Sequence, residues 1–450
     1  MDRDLQVCAD IAGRPTLVGR LWLREKNGRE TATFRYDPAW LRAPHGYALA
    51  PSLELSEGPF HSEDGMFDPF RDSLPDRWGQ KLMRHRERNR ASAAGTKARA
   101  LFAGDFLVGV DDETRMGALR FKDADGGEFL SQSESPVPPL IELRRLLGAT
   151  NRLERGRERK GDLELILAPG GSLGGARPKA TVRGKDGRLH VAKFPWTKDD
   201  WSVIRWEAVA LELAGAAGII VPRWKLLPVL GNVVLLVERF DRDGGRGRIG
   251  FMSAMTALQS RDHEDRSYLE IVDALRQIGE APERDARQLW RRMVFNVLIS
   301  NTDDHLRNHA LLRSQRGWLL SPAYDMNPCP RDINNGFHAL ALNEMDHAGS
   351  LETAMSVAEY FGLTTKEARS IASEVASAVK PWRSVAEARG SSKEEIEQLA
   401  SAFQEGEIQT AASAGTKSST EAKKKLGRAT KNSRRTKKKA PPARAQRASN

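Results

Sequence analysis

Cysteine is nearly absent from this chain, with only Cys8 and Cys329 in 450 residues. That excludes a disulfide framework and a cysteine-built metal cluster, and it fits a reducing compartment. Cys329 lies close to Asp325 in sequence and is read as a packing residue. Long apolar runs are missing too, none approaching the roughly 18 residues needed to cross a membrane. The opening Met1-Asp2-Arg3-Asp4 holds no apolar segment of signal-peptide type, so a cytoplasmic protein is expected.

Acidic residues are almost missing from one stretch. Residues 411–450 hold 13 Lys/Arg and a single acid, Glu421, a net of +12. The whole chain has 71 basic and 60 acidic residues, so removing this stretch leaves 58 and 59 in 1–410, a net of −1. The basic character therefore belongs to a tail and the body is nearly neutral. Runs such as Lys423-Lys424-Lys425 and Lys437-Lys438-Lys439 bury no apolar surface and are expected to be disordered. The tail reads either as a contact for nucleic-acid phosphates or as a solubilising extension.

What is present is a globular body, 40% hydrophobic and 29% charged, long enough for one large or two to three ordinary domains. Residues 1–105 read as a mixed α/β unit. Leu17–Leu23 and Ala32–Tyr36 are strand-like, Asn27-Gly28 is a turn between them, and Ser73–Trp78 opens a charged helix with Pro75 near its first turn. Residues 106–240 are strand-rich. Thr181-Val182 and Leu189–Lys193 flank a hairpin signal at Lys185-Asp186-Gly187; a helical pattern follows from Trp201 to Ala217, and Val233–Val237 reads as a buried strand. Residues 241–405 are mainly helical, with Leu289, Trp290, Met293, Val294, Val297 and Leu298 in one stripe, and Ser392 and Glu395 form a capping signal. Residues 406–450 are the basic tail.

The sharpest local signal is Ser300-Asn301-Thr302-Asp303-Asp304-His305-Leu306-Arg307-Asn308. A buried helix delivers this polar segment to a loop. A hairpin over 309–320 then returns the chain, so that Asn308 and Asp325 emerge at one open end. Phosphoryl transfer needs such a set: an Asp to orient a hydroxyl and accept its proton, and an Asn and a second Asp to hold Mg²⁺ against phosphates. The Asp303-to-Asn308 spacing equals the D-x-x-x-x-N of a protein-kinase catalytic loop. The alternative is a polar helix end followed by an ordinary hairpin. The adjacent Asp304 leaves the identity of the base open to a one-residue slip, with the spacing favouring Asp303. His305 reads as a loop-positioning residue. The glycine-rich Pro169–Lys179 stretch lets backbone N–H groups approach phosphates but lacks the Gly-Lys-Ser/Thr of a P-loop, and a flexible connector reads equally well. Lys193, at a strand end, has Glu207 on the following helix 14 residues later to hold its ammonium. Whether Lys179 and Lys193 share a face is open.

In this order Gly174-Gly175-Ala176-Arg177-Pro178-Lys179, Ala192-Lys193-Phe194-Pro195, Val237-Glu238-Arg239-Phe240-Asp241-Arg242, Asn301–Asn308 and Pro322-Ala323-Tyr324-Asp325 resemble the segments of HipA-family kinases. Leu74-Pro75-Asp76 and Arg115–Phe121 are similar to that family's N-terminal portion. The resemblance spans roughly residues 15–405. It implies an α+β, two-lobed protein-kinase-like fold with an N-terminal α/β subdomain and a mainly helical C-terminal lobe. It implies ATP and Mg²⁺, with Asp303 catalytic, Asn308 and Asp325 metal ligands and Lys193 on the phosphates. The backbone of Glu238, Arg239 and Phe240 would read adenine, and the loop Gly174, Gly175, Ala176, Arg177, Pro178, Lys179 would cover the nucleotide. His305, Leu306, Arg307 and Tyr324 would line the site. In such toxins a serine of that loop is autophosphorylated, and Ser172 has the right offsets, although Gly-Ala-Arg-Pro-Lys stands where the best-known member has Gly-Ala-Gln-Glu-Lys.

The function this implies is a serine/threonine kinase toxin acting on a protein, such as a translation factor or aminoacyl-tRNA synthetase, with a small DNA-binding antitoxin of HipB type as partner. Two other readings fit the same residues: a small-molecule kinase, and a nucleotide-binding regulator tethered to DNA by the tail.

Overall fold

The structure, a computed structural model, describes residues 2–62, 64–131, 137–167, 175–244 and 247–412. Ser172, Gly174 and residues 413–450 of the basic tail lie outside them, whereas residues 406–412, expected to begin that tail, are helical with Ile408 and Ala411 buried against the core. Three antiparallel sheets and a helical body make up the described chain. The first sheet holds β1 (Arg3–Ile11), β2 (Arg14–Lys26), β3 (Arg29–Tyr36), β4 (Phe60–Ser62) and β5 (Leu119–Asp123), in the order β4-β3-β2-β1-β5. Both strand runs read from sequence fall inside it. Asn27 and Gly28 turn β2 into β3 with φ of +54° and +72°, the left-handed pair that a two-residue hairpin requires. Alternation along β2 and β3 turns Leu21, Leu23, Phe34 and Tyr36 inward, where they meet Phe67, Phe70 and Phe121. β5 carries this sheet to Asp123, past the junction expected near residue 105.

The charged helix expected after Ser73 runs from Arg77 to Ala93, with Asp76 as its N-cap. Pro75 directly precedes that cap, near the first turn as expected.

The second sheet holds β6 (Lys179–Arg183), β7 (Leu189–Lys193), β8 (Trp224–Val229) and β9 (Asn232–Glu238), in the order β6-β7-β9-β8. The Lys185-Asp186-Gly187 turn forms as expected and sets the register of β6 and β7, so Lys179 stands directly opposite Lys193. Paired residues of an antiparallel ladder project to one face, which resolves the question left by the sequence. Between β7 and β8 runs the helix Val203–Ala216, which is buried on nearly every side.

The third sheet joins β10 (Phe251–Ser253), β11 (Ala310–Arg313) and β12 (Trp318–Leu320). Against it pack the helices Tyr268–Ile278 and Pro282–Leu298, and Thr365–Val379 packs on Pro282–Leu298 in turn. The six apolar residues of the Pro282–Leu298 stripe are all fully buried. The C-terminal segments return to the Val203–Ala216 helix: Trp382 stacks on Phe403 with ring centroids 4.0 Å apart, and Trp206 lies 6.2 Å from Trp382. Ser392 caps its helix as expected, but Glu395 does not complete the box. Its carboxylate accepts the N–H of Ser202, 2.6 Å away, at the start of the Val203–Ala216 helix. A tertiary donor has replaced the local one. Among the described residues no helix is long and apolar enough to cross a membrane.

Trp382→Ala removes the centre of this stack and leaves a cavity between the lobes. An unfolding free energy lower by about 3–5 kcal/mol is expected. A urea midpoint equal to that of the parent protein would show that the stack contributes nothing.

Candidate active site

The site begins where the Pro282–Leu298 helix stops. Ser300 takes a left-handed φ of +48° and turns the chain away from the helix axis. Asn301 is buried, donating to Asn296 Oδ1 at 3.1 Å and accepting the Asn327 N–H at 3.2 Å, which joins the two halves of the site. The two adjacent acids then part company. Asp304 is buried, with His309 Nε2 at 2.8 Å, Asn296 Nδ2 at 2.9 Å and the Tyr268 hydroxyl on one carboxylate oxygen. Burial alone would raise its carboxyl, but His309 and the Tyr268 hydroxyl hold it below the ordinary value. Asp304 therefore anchors the loop and is shut away from solvent. Asp303 faces outward, and its backbone carbonyl receives Asn308 Nδ2 at 3.0 Å. Partial desolvation raises the Asp303 carboxyl; His305 opposes this, and the nearby Asp325 and Asp304 charges reinforce it. Of the two acids, Asp303 is the exposed one.

The hairpin over 309–320 forms with Leu311 opposite Leu320 and Leu312 opposite Leu319, and it carries Asp325 back beside the loop. Asp325 has a φ of +59°, a left-handed backbone that aspartate tolerates better than most residues. Its Oδ1 accepts from Lys193 Nζ at 2.8 Å, and Lys193 also donates to Glu207 Oε1 at 2.5 Å. Burial works against the Lys193 ammonium, but the two carboxylates outweigh it and keep the group protonated. The same lysine, with Lys179 behind it, overrides burial and draws the Asp325 carboxyl down to about 2.

Lys179 reaches from the opposite strand to Asp76 Oδ2 at 2.8 Å. Gly175, with φ +84°, lies over this pair: a Cβ there would stand 3.3 Å from Lys179 Nζ and 3.9 Å from Asp325 Oδ2. Glycine is thus the residue that lets the backbone approach the charged centre. Ala176 is exposed, Pro178 accepts the Phe194 N–H through its carbonyl at 3.0 Å, and Arg177 turns away to pair with Asp199.

At the join of the lobes, the Glu238 N–H donates to Arg223 O at 2.7 Å and the Arg239 N–H to Leu189 O at 2.9 Å. The Arg239 side chain points away from the site. Its guanidinium is buried against Asp241 and the carbonyls of Thr114 and Arg115, and Arg242 donates to the carbonyls of Glu113 and Arg115. Asp241 also accepts the Gly117 N–H at 2.8 Å. This part of the motif clamps the N-terminal unit onto the lobe junction. Phe240 lies 5.4 Å, centroid to centroid, from Tyr324, whose hydroxyl donates to Arg307 O at 2.7 Å. Arg307 itself pairs with Asp262 at the surface, Leu306 is buried, and the His305 carbonyl accepts the Asn308 N–H at 2.8 Å.

The structure therefore brings Gly175, Lys179, Lys193, Asp303, Asn308 and Asp325 together, and leaves the side chains of Arg177, Arg239 and Arg307 outside. Three contributors were not read from the sequence. Tyr268 and Asn296 carry no local signal, whereas Asp76 is recognisable as a helix cap but not as a partner of Lys179.

A small sheet whose lysine pairs with a glutamate on the next helix stands over a helical lobe with an Asp-x-x-x-x-Asn loop, and a further Asp follows on a hairpin. This is a two-lobed, protein-kinase-like fold. A family model described as the HipA-like C-terminal domain matches residues 171–382, and one described as the HipA N-terminal domain matches residues 9–122. The chain belongs to the HipA family. It is 26% identical over 325 residues to Y4mE of Sinorhizobium fredii, provisionally named a kinase, covering 65% of this chain and 71% of that one. It is 27% identical over 169 residues to the toxin YjjJ of Escherichia coli, covering 35% of this chain and 38% of that one. The HipA of Shewanella oneidensis, solved with HipB and its operator DNA, shares the fold with a TM-score of 0.62 at 16% identity, over 91% of this chain and 96% of that one.

Asp304→Ala strands three buried donors and is expected to cost about 3–5 kcal/mol of stability. Asp303→Asn, at an outward-facing position, is expected to leave stability within about 0.5 kcal/mol. Parallel denaturation curves check both, and the reverse order would exchange the roles of the two acids.

Proposed function

We propose that this protein is an ATP-dependent serine/threonine kinase that phosphorylates a protein substrate as the toxin of a toxin–antitoxin pair. The observation that carries the reading is the meeting of Lys193, Glu207 and Asp325 with an outward Asp303 and an Asn308 held beside it. In this reading Asp303 orients the substrate hydroxyl and takes its proton as the oxygen bonds to the γ-phosphorus, and the bond to ADP breaks on the opposite side. Lys193 binds the α- and β-phosphates, Gly175 to Lys179 cover them, and the backbone of Glu238 to Phe240 reads the adenine.

The residues present fit Mg²⁺. Asn308 spends its amide N–H on Asp303 O, which leaves Oδ1 to a hard cation, and the Asp325 carboxylate stands near enough for its charge to act on Asp303. Among the described residues no cluster of three or more His, Cys, Asp or Glu side chains could hold a metal alone. That suits an ion completed by phosphate oxygens and water. Bound there, it would neutralise charge on the transferring phosphoryl group. A HipB-type antitoxin is the proposed partner, by likeness to the Shewanella protein that was solved with one.

Incubation with radiolabelled ATP and Mg²⁺ is expected to put phosphate on protein, with Asp303→Asn slower by about 10²–10⁴-fold, the usual worth of a general base. No transfer by the parent protein would sink the reading. Because Asp303 must be ionised and its carboxyl is raised above the ordinary 3.8, the rate is expected to fall on acidification at a pH above that value. A pH–rate profile whose acid limb lies at or below it would remove Asp303 as the base.

A further inference from the structure

Three consecutive residues of the N-terminal unit reach the candidate site. Asp76 gives its two carboxylate oxygens to different tasks. Oδ1 accepts the Gly79 N–H at 2.7 Å and caps the Arg77–Ala93 helix, while Oδ2 accepts Lys179 Nζ at 2.8 Å. Arg77 stands close enough for its charge to favour the ionised form of Asp303. The Trp78 N–H donates to Gly175 O at 3.4 Å. The Asp76–Lys179 pair is sealed from water, with side-chain exposures of 4% and 5%. It lies against Gly175 and within the electrostatic reach of Asp325. A contact that served only to dock two units would lose little if both partners were apolar, because burying charge costs heavily. Here the charges are kept at the place where phosphate oxygens would arrive.

From this geometry we infer that Asp76 is a positioning residue for nucleotide binding: it holds the Lys179 ammonium, and with it the first residues of β6, in the place where Lys179 meets the phosphates. The N-terminal unit is then a working part of the nucleotide site. The lysine cannot swing out to solvent, since one carboxylate oxygen fixes it while the other is fixed by the helix N-terminus. The inference rests on the kinase reading and adds to it a residue from outside the kinase lobes.

Asp76→Asn separates the two tasks. Asparagine caps a helix as well as aspartate does, so the helix keeps its cap while the negative charge and the acceptor oxygen that face Lys179 are lost. The full-length variant leaves the buried Lys179 ammonium without its carboxylate and is expected to melt below the parent, while KM for ATP rises about 10- to 100-fold, as for a lost charge-assisted hydrogen bond, and kcat changes far less. Lys179→Met is expected to raise KM by a similar factor, and adding Asp76→Asn to it is expected to raise KM no further, because the two act as one unit. An unchanged KM in Asp76→Asn, or effects that multiply in the double variant, would overturn the inference while leaving the kinase reading intact. A fall in kcat and melting temperature at constant KM would assign Asp76 to stability alone and overturn it equally. A parent protein without phosphoryl transfer would remove the kinase reading and this inference together.

Discussion

The Lys193 ammonium is the charge around which the rest of the site is arranged. It lies at the end of a strand, takes one carboxylate from the helix that follows and a second from the segment beyond the β11–β12 hairpin, and so joins three elements of two lobes. A buried ammonium is costly unless it is paired and fully hydrogen-bonded. Moving any of the three elements would strand a charge, and their relative placement is therefore fixed. The helix that supplies Glu207 is itself wedged by Trp206 against Trp382 and Phe403, so packing far from the site helps hold the pair.

The same logic governs the N-terminal unit. Arg239 and Arg242 fasten the 113–117 turn to the lobe junction through backbone carbonyls and the shared Asp241. Gly117, at φ +74°, lies against Phe251 closely enough that a Cβ would stand 3.0 Å from the phenylalanine Cβ. Arg115 is wholly buried, over the Phe121 ring and on the carbonyls of Ser73 and Val110. These contacts give a physical reason for the Arg115–Phe121 and Val237–Arg242 segments: the first offers the Arg115 carbonyl and the Gly117 N–H, and the second meets them with the guanidinium groups of Arg239 and Arg242 and the carboxylate of Asp241. The lobe junction and the N-terminal sheet form one continuous polar weld.

Much of the site was legible because its decisive spacings are local. Asp303 and Asn308 lie five residues apart on one loop, the hairpin that returns Asp325 closes on its nearest neighbours, and Glu207 follows Lys193 by 14 residues. Short loops cost little entropy to close, so such patterns survive whatever the rest of the fold does. The direction of a side chain is different. Arg177 and Arg239 sit in the right segments, yet one turns to Asp199 and the other to the N-terminal unit, because the nearest unsatisfied acceptors lie there.

By itself the sequence determined the strand and helix patterning, the nearly neutral body, the convergence of Asp303, Asn308 and Asp325, and the family resemblance. Hydrophobic period, turn chemistry and short spacing are properties of neighbouring residues. Only the tertiary structure buried Asp304 and left Asp303 exposed, put Lys179 and Lys193 on one face, and brought Asp76 across 103 positions to Lys179. Those outcomes depend on which distant groups share a buried site. Desolvation makes an unpaired charge there intolerable, and no local pattern names its partner.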